Sequence, residues 1–213
     1  MKKIIFLIFI LLQSCLIFSQ TTFTQMAEKD IVTIKKQIKT QNALISSMSC
    51  NFTQTKKMSV LKQPAISTGS MYYKKASQFR WEYTNNPVFI FAQNGKTIYT
   101  KSNDKVTVVK DNSAKLYEEI SKIVMASING SLLDNPKEFD IKYWETKNSV
   151  KIILTPKNRN MKKFIATIEL IIDKKTYQAS QFSLFDPSGD STIITFEKVK
   201  INPVLEDSLF ILK

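Results

Sequence analysis

The sequence contains no histidine among its 213 residues. That single absence excludes Ser–His–Asp triads, imidazole acid–base catalysis and the commonest metal ligand. Cysteine is nearly missing too, with only Cys15 and Cys50. Without an imidazole to activate it, Cys50 reads as a small buried apolar residue rather than a nucleophile. Four glycines leave no phosphate-cradling loop. Carboxylates are scarce and fall in turns. Asp186 and Asp190 flank "PSG", and Asp134 and Asp140 bound "DNPKEFD", where aspartate caps and bends the chain. "DNPKEFD" also carries a lysine where a Ca²⁺ loop needs ligands. Neither an enzyme, nor a cofactor, nor a metal site is expected.

What is present starts at the N-terminus. "MKKIIFLIFILLQSCLIFSQ" has a basic start, an apolar run from Ile4 to Leu12 and small residues after it, the layout of a secretory signal peptide. The run is too short for a comfortable membrane span. Two exits are open: cleavage after Ser19, or lipidation of Cys15 in a lipobox-like "LQSC". Cleavage is favoured because Leu16, Ile17 and Phe18 follow the cysteine, where a lipoprotein continues with a polar tether. Residues 1–19 are therefore expected to be a signal peptide and 20–213 one secreted domain. Removing Cys15 leaves Cys50 as the only thiol, so no internal disulfide is possible.

The charge is +13, from 31 basic and 18 acidic side chains. Without Lys2 and Lys3 it is 29 against 18, or +11. Such a surplus suits acidic partners, anionic lipid surfaces or nucleic acid. A secreted location argues against nucleic acid, and the lysine pairs are scattered, as on a solvated outer face.

Along the chain, Ala27, Ile31, Ile34 and Ile38 form one apolar stripe of a helix over about 23–45. From about Ser49 the hydrophobic period becomes two, with strand-like runs to Lys110. Asn94-Gly95 is a hairpin signal. A second helix is expected over 113–128, with Leu116, Ile120, Ile123, Val124 and Ile128 as its stripe. Strands then resume from "FDIKYWE" to a closing "SLFIL". The sequence contains no repeat, linker or break in composition. This is a mainly β single domain of eleven or twelve antiparallel strands and a few helices, curling into a barrel or half-barrel. In "FIATIELII", Phe164, Ala166, Ile168, Leu170 and Ile172 share one face while Ile165 and Ile171 take the other. Strands apolar on both faces need cover on both sides or a lined cavity on one.

The segment "GSMYYKKASQFRWEY" interleaves rings and cations. Strand parity separates them: Phe79, Trp81 and Tyr83 share one side, Arg80 and Glu82 the other. Met71, Tyr73 and Lys75 share a parity opposite to Tyr72 and Lys74. In order along the chain, "NFTQ", this segment, "NGKTIYT", "LTPK" and "DPSGDSTIITFEKVKINPVLEDSLF" resemble the motifs of the LolA family of periplasmic outer-membrane lipoprotein carriers. The resemblance implies an unclosed, curved antiparallel half-barrel covered by helices that enclose an apolar cavity for acyl chains. It implies a chaperone that takes lipoproteins from an inner-membrane releasing transporter to an outer-membrane acceptor, working as a monomer without catalysis.

Carried over by position, the cavity wall comprises Phe52, Met71, Tyr73, Phe79, Trp81, Tyr83, Phe89 and Phe91. Lys75 becomes the lid contact, and Leu116, Ile120, Ile123 and Val124 the lid helix, which reads equally as an ordinary crossover helix. Two departures stand out. Lys75-Ala76 replaces the family's Arg-Pro, and lysine cannot reproduce a planar bidentate clamp. The family's C-terminal P-x-G run is also missing after Lys213. Three rivals stay open: an outer-membrane acceptor lipidated at Cys15, a carrier of another lipid, and a secreted polyanion-binding module.

Overall fold

The computed structural model describes residues 22–75, 77–85, 88–110, 121, 123–127 and 130–213. The period-two alternation becomes two antiparallel meanders. The first holds β2 (Ser47–Lys57), β3 (Ala65–Lys74), β4 (Gln78–Tyr83), β5 (Phe89–Asn94), β6 (Thr97–Ser102) and β7 (Lys105–Val109). The second holds β8 (Phe139–Glu145), β9 (Ser149–Pro156), β10 (Thr167–Asp173), β11 (Ala179–Phe185) and β12 (Ser191–Ile201). A two-residue β1 (Thr24–Gln25) adds to the edge of β8. Pairing of β12 with β2 joins the meanders into one twelve-stranded sheet, ordered β1-β8-β9-β10-β11-β12-β2-β3-β4-β5-β6-β7. The outermost strands are β1 and β7, so the sheet is an unclosed half-barrel.

Register fixes which side chains face inward, because a one-residue slip would turn every one of them over. Phe52 pairs with Gly69 and Gly69 with Tyr83; Met71 pairs with Trp81 and Trp81 with Phe91. On the opposite arm, Ile152 pairs with Leu170 and Leu170 with Phe182. All of these apolar partners except the partly buried Tyr83 belong to the buried core. The expected face of β10 is Ile168, Leu170 and Ile172, each almost fully buried. Phe164 does not belong to it: it precedes the strand and is exposed. The hairpin at Asn94-Gly95 turns one residue later than the dipeptide suggests. Asn94 pairs with Thr97, leaving Gly95-Lys96 as the loop, with Gly95 at φ 61°.

The concave face is covered by α1 (Glu28–Ala43), shorter than the expected 23–45. Ile34, Ile38 and Asn42 are its buried residues and Ile31 packs beside them, whereas Ala27 lies before the first turn and is exposed. Residues 123–127 form a second helix within the expected 113–128. Apart from Ser121, the remainder of that segment, with Leu116 and Ile120, lies outside the described residues.

"SLFIL" is not a strand. Asp207–Phe210 is a 3₁₀ turn, and the segment lies across the outer face of the sheet. Phe210 is fully buried, and Leu212 packs with Ile90, Ala92, Tyr99 and Val106. This explains why β5 is buried on both parities, from Ile90 to Gln93: the core covers one side and the C-terminal segment the other. Arg80 holds that segment. Its Nη1 donates to the Leu209 carbonyl at 3.0 Å while Nε and Nη2 grip Glu82 Oε2 at 3.0 and 2.8 Å. Lys74 donates to the Leu205 carbonyl and to Asp207, which Gln78 also reaches.

Candidate functional site

The residues carried over as the cavity wall lie together on the concave face. Phe52, Met71, Tyr73, Phe79, Trp81 and Phe91 are buried there, with Tyr83 and Phe89 partly buried beside them. The rings form a continuous stack. Phe52 lies 3.9 Å from Trp81, centroid to centroid, and edge-on to Tyr83 at 5.5 Å. Phe79 continues it to Trp81 at 6.2 Å and Phe91 at 6.0 Å, and Tyr83 meets Phe89 at 6.4 Å. Such stacks add about 0.5–1.5 kcal/mol per pair beyond the area they bury.

Gly69 is what lets the stack form. A Cβ there would run into the Glu82 carbonyl oxygen and the Phe52 ring, whose Cε1 would be only 2.6 Å away. The ring of Phe52 therefore rests on bare backbone. Glycine is needed here for close approach, not for a left-handed conformation.

Few polar atoms interrupt the wall. Tyr83 Oη donates to Gln54 Oε1 at 3.0 Å. Burial pushes the Tyr83 pKa up, against the opposing pull of Trp81 and Gln54. The Trp81 indole lies near enough for Tyr83 to feel it, yet outside hydrogen-bonding geometry, so Trp81 Nε1 has no partner. Tyr143 Oη and Asn42 Oδ1 are likewise buried without partners. Burial and the nearby Asp134 charge push the Tyr143 hydroxyl up to about 12. Each such atom costs about 1–3 kcal/mol while unpaired. Cys50 sits on the same face, and burial raises its thiol to about 12. It is a core residue, as the sequence suggested. Among the described residues no group of His, Cys, Asp and Glu is placed to hold a metal ion.

Two helices cover this wall by different means. The C-terminal end of α1 is tied down by side chains from elsewhere. Lys75 Nζ donates to the Ala43 carbonyl at 3.0 Å and Asn202 Nδ2 to the Leu44 carbonyl at 3.1 Å. Asn202 Oδ1 also accepts from the Ser46 amide at 2.7 Å, and Lys39 pairs with Asp134 at 2.9 Å. Lys75 thus contacts a covering helix, and that helix is α1. Ile123 and Val124, on the second helix, pack half-buried against the core. Ser121 Oγ donates to Gln93 Oε1 at 2.7 Å, and Gln93 Nε2 in turn donates to the Gly95 carbonyl at 2.9 Å.

Sequence reasoning missed Gln93, Ser121 and Asn202. A polar Gln93 on the ring parity of β5 was the available signal for the first. Nothing local marks Asn202, whose partners are some 156 residues away in the chain.

Two cavities are seen among the described residues. A cavity of about 10 Å³ lies under Ile45, Met48, Cys50 and Phe196. Another of about 230 Å³ opens between α1 and the sheet end, beside Asp30, Glu145, Lys174 and Tyr177.

A family model for the outer membrane lipoprotein carrier protein LolA matches residues 43–213. The chain belongs to the LolA family. No curated protein matches it. Among solved structures, the MucA/MucB complex of Pseudomonas aeruginosa is similar at TM-score 0.50 and 10% identity, over 84% of this chain and 60% of that one. MucB alone gives 0.48 at 10% identity over 88% of this chain, which spans 64% of the MucB chain. Lipoprotein LppX of Mycobacterium tuberculosis gives 0.49 at 14% identity, over 84% and 99% of the two chains. At such identities the first of these likenesses speaks for the fold alone. The LolA-family half-barrel and the ring-lined concave face describe the same object from two directions.

Proposed function

We propose that this LolA-family protein is a periplasmic carrier that binds the acyl chains of lipoproteins between the ring-lined sheet and its covering helices. The observation that carries the reading is the ring-lined apolar face of the sheet lying beneath covering helices. One helix is pinned to the frame by Lys75 and Asn202. Among the described residues of the other, half-buried Ile123 and Val124 pack against the core and Ser121 Oγ donates to Gln93 Oε1. A hydrogen bond of this kind contributes about 1 kcal/mol net. Three acyl chains expose on the order of forty methylenes, worth on the order of 30 kcal/mol when removed from water. Cargo of that size strongly drives uptake, and a receiving membrane offers the same gain again, so release stays feasible.

In this reading lipoproteins arrive from an inner-membrane releasing transporter and leave to an outer-membrane acceptor. No chemical step is involved, so the protein is not an enzyme. The N-terminal segment directs it to the periplasm.

The test is complex formation with a fluorescent diacylglyceryl lipopeptide, read by gel filtration below its micelle threshold. Wild-type protein should elute with the peptide in a one-to-one complex. Phe79→Glu and Trp81→Glu should lose it while still eluting as folded monomers. Uptake retained by both variants would remove the concave face from the mechanism. Absence of lipid and of complex with wild-type protein would end the carrier reading altogether.

A further inference from the structure

One end of the sheet carries a surface the acyl-binding face does not account for. The β2–β3 loop follows Lys57, and the β9–β10 loop spans residues 157–166. Between them lies the β11–β12 turn, residues 186–190. Three observations bring these onto one rim: Ser191 pairs with Lys57, the Ser59 amide donates to Asp190 Oδ1 at 2.8 Å, and the Ala166 amide donates to the Phe185 carbonyl at 2.8 Å.

The two loops share an unusual composition. Residues 56–66, "KKMSVLKQPAI", and 157–166, "KNRNMKKFIA", carry seven cations and no carboxylate. Each also presents large apolar side chains to solvent. Val60 is 78% exposed and Phe164 73%, and Leu61 and, at the start of β3, Ile66 are exposed as well. Both carboxylates of the intervening turn are engaged. Asp190 accepts from the β2–β3 loop, and Asp186 folds onto Ser188 of its own turn, which lowers its pKa. The opposite end of the sheet also exposes apolar residues, Leu44 and Val204. There Glu197, Glu206 and Asp207 are interspersed; at the rim the neighbouring acids are Asp186, Asp190 and Glu138, whose carbonyl accepts from the Lys157 amide at 2.7 Å.

Apolar tips ringed by cations, on loops rather than on a pre-formed groove, suit a fluid anionic interface more than a rigid protein partner. The rings and aliphatic tips would enter the headgroup boundary while lysine and arginine stay at phosphate level. A soluble polyanion would use the cations alone and leave Val60 and Phe164 in water. We infer that this rim docks the protein on the surface of an anionic phospholipid bilayer, through Val60, Leu61 and Phe164 with Lys162 and Lys163. This surface stands independently of whether the concave face carries acyl chains.

The experiment uses the full chain with phosphatidylglycerol–phosphatidylcholine vesicles and with pure phosphatidylcholine vesicles. Residues 1–21 accompany every variant, so a position-specific signal is needed. In Phe164→Trp the new indole should shift to the blue and be quenched by brominated lipid, above the background of Trp81 and Trp144. Lys162→Glu/Lys163→Glu should lower co-flotation with the anionic vesicles roughly tenfold or more, and raised salt should do the same to wild type. An unquenched indole at position 164 on vesicle-bound protein overturns the proposal. So does charge reversal without effect. Binding to soluble polyphosphate as tight as to vesicles, and indifferent to Phe164→Ser, would assign the rim to a polyanion instead. Melting temperatures should stay at the wild-type value in all variants, because these side chains are exposed.

Discussion

Replacing Gly69 by alanine tests the packing of the candidate site at its tightest point. The added methyl would meet the Glu82 carbonyl oxygen, which belongs to the backbone of β4, and the Phe52 ring. The ring can rotate away, but only by giving up its stack on Trp81. The carbonyl can move only with its strand. Overpacking of this kind costs about 3 kcal/mol, the upper end of its usual range, and loss of the stack about 1 kcal/mol. Alanine returns about 0.5–1 kcal/mol through reduced freedom of the unfolded chain. The net loss is about 3 kcal/mol, which for a domain of this size lowers Tm by roughly 6–12 °C.

Thermal unfolding followed by circular dichroism reads this directly, and a second variant separates the two contacts. In a Phe52→Leu background the ring contact is gone, so Gly69→Ala should cost about 1 kcal/mol less than in wild type, but not nothing, since the Glu82 carbonyl remains. A Gly69→Ala protein that melts at or above the wild-type temperature would refute the packing argument. Equal costs in the two backgrounds would show that the ring plays no part.

Three further perturbations follow from the same geometry. Arg80→Ala removes the donor to Leu209 and leaves Glu82 partly buried without its partner; a loss of roughly 2 kcal/mol is expected, with faster carboxypeptidase trimming of the last residues, and unchanged trimming would disprove the clamp. Cys50, raised to about 12 by burial, should resist iodoacetamide in native protein at pH 8 and react once unfolded. The folded state holds that proton more tightly than the unfolded chain, so stability should fall as pH rises above about 9, the thiol's ordinary value. Lys75→Met removes an exposed donor and should cost under about 1 kcal/mol globally. It should nevertheless speed amide exchange in the last turn of α1, and an unchanged exchange rate there would show that Lys75 does not hold the helix.

The sequence alone determined the strand faces of this protein. Side chains alternate with period two, so the parity of Phe79, Trp81 and Tyr83 against Arg80 and Glu82 follows from spacing, and the ordered motifs carry the family. Tertiary structure decided what lies far apart in the chain. Asn202 ties down a helix that ends near residue 43. The segment read as a last strand became a strap on the outer face, because β5 offers it a second apolar side and Arg80 a clamp. Phe164, placed by parity on one face with Ile168, Leu170 and Ile172, stands exposed, because the strand starts later than its alternation. Periodicity is a local property of the backbone, but which apolar residue finds cover depends on what the rest of the chain brings to it.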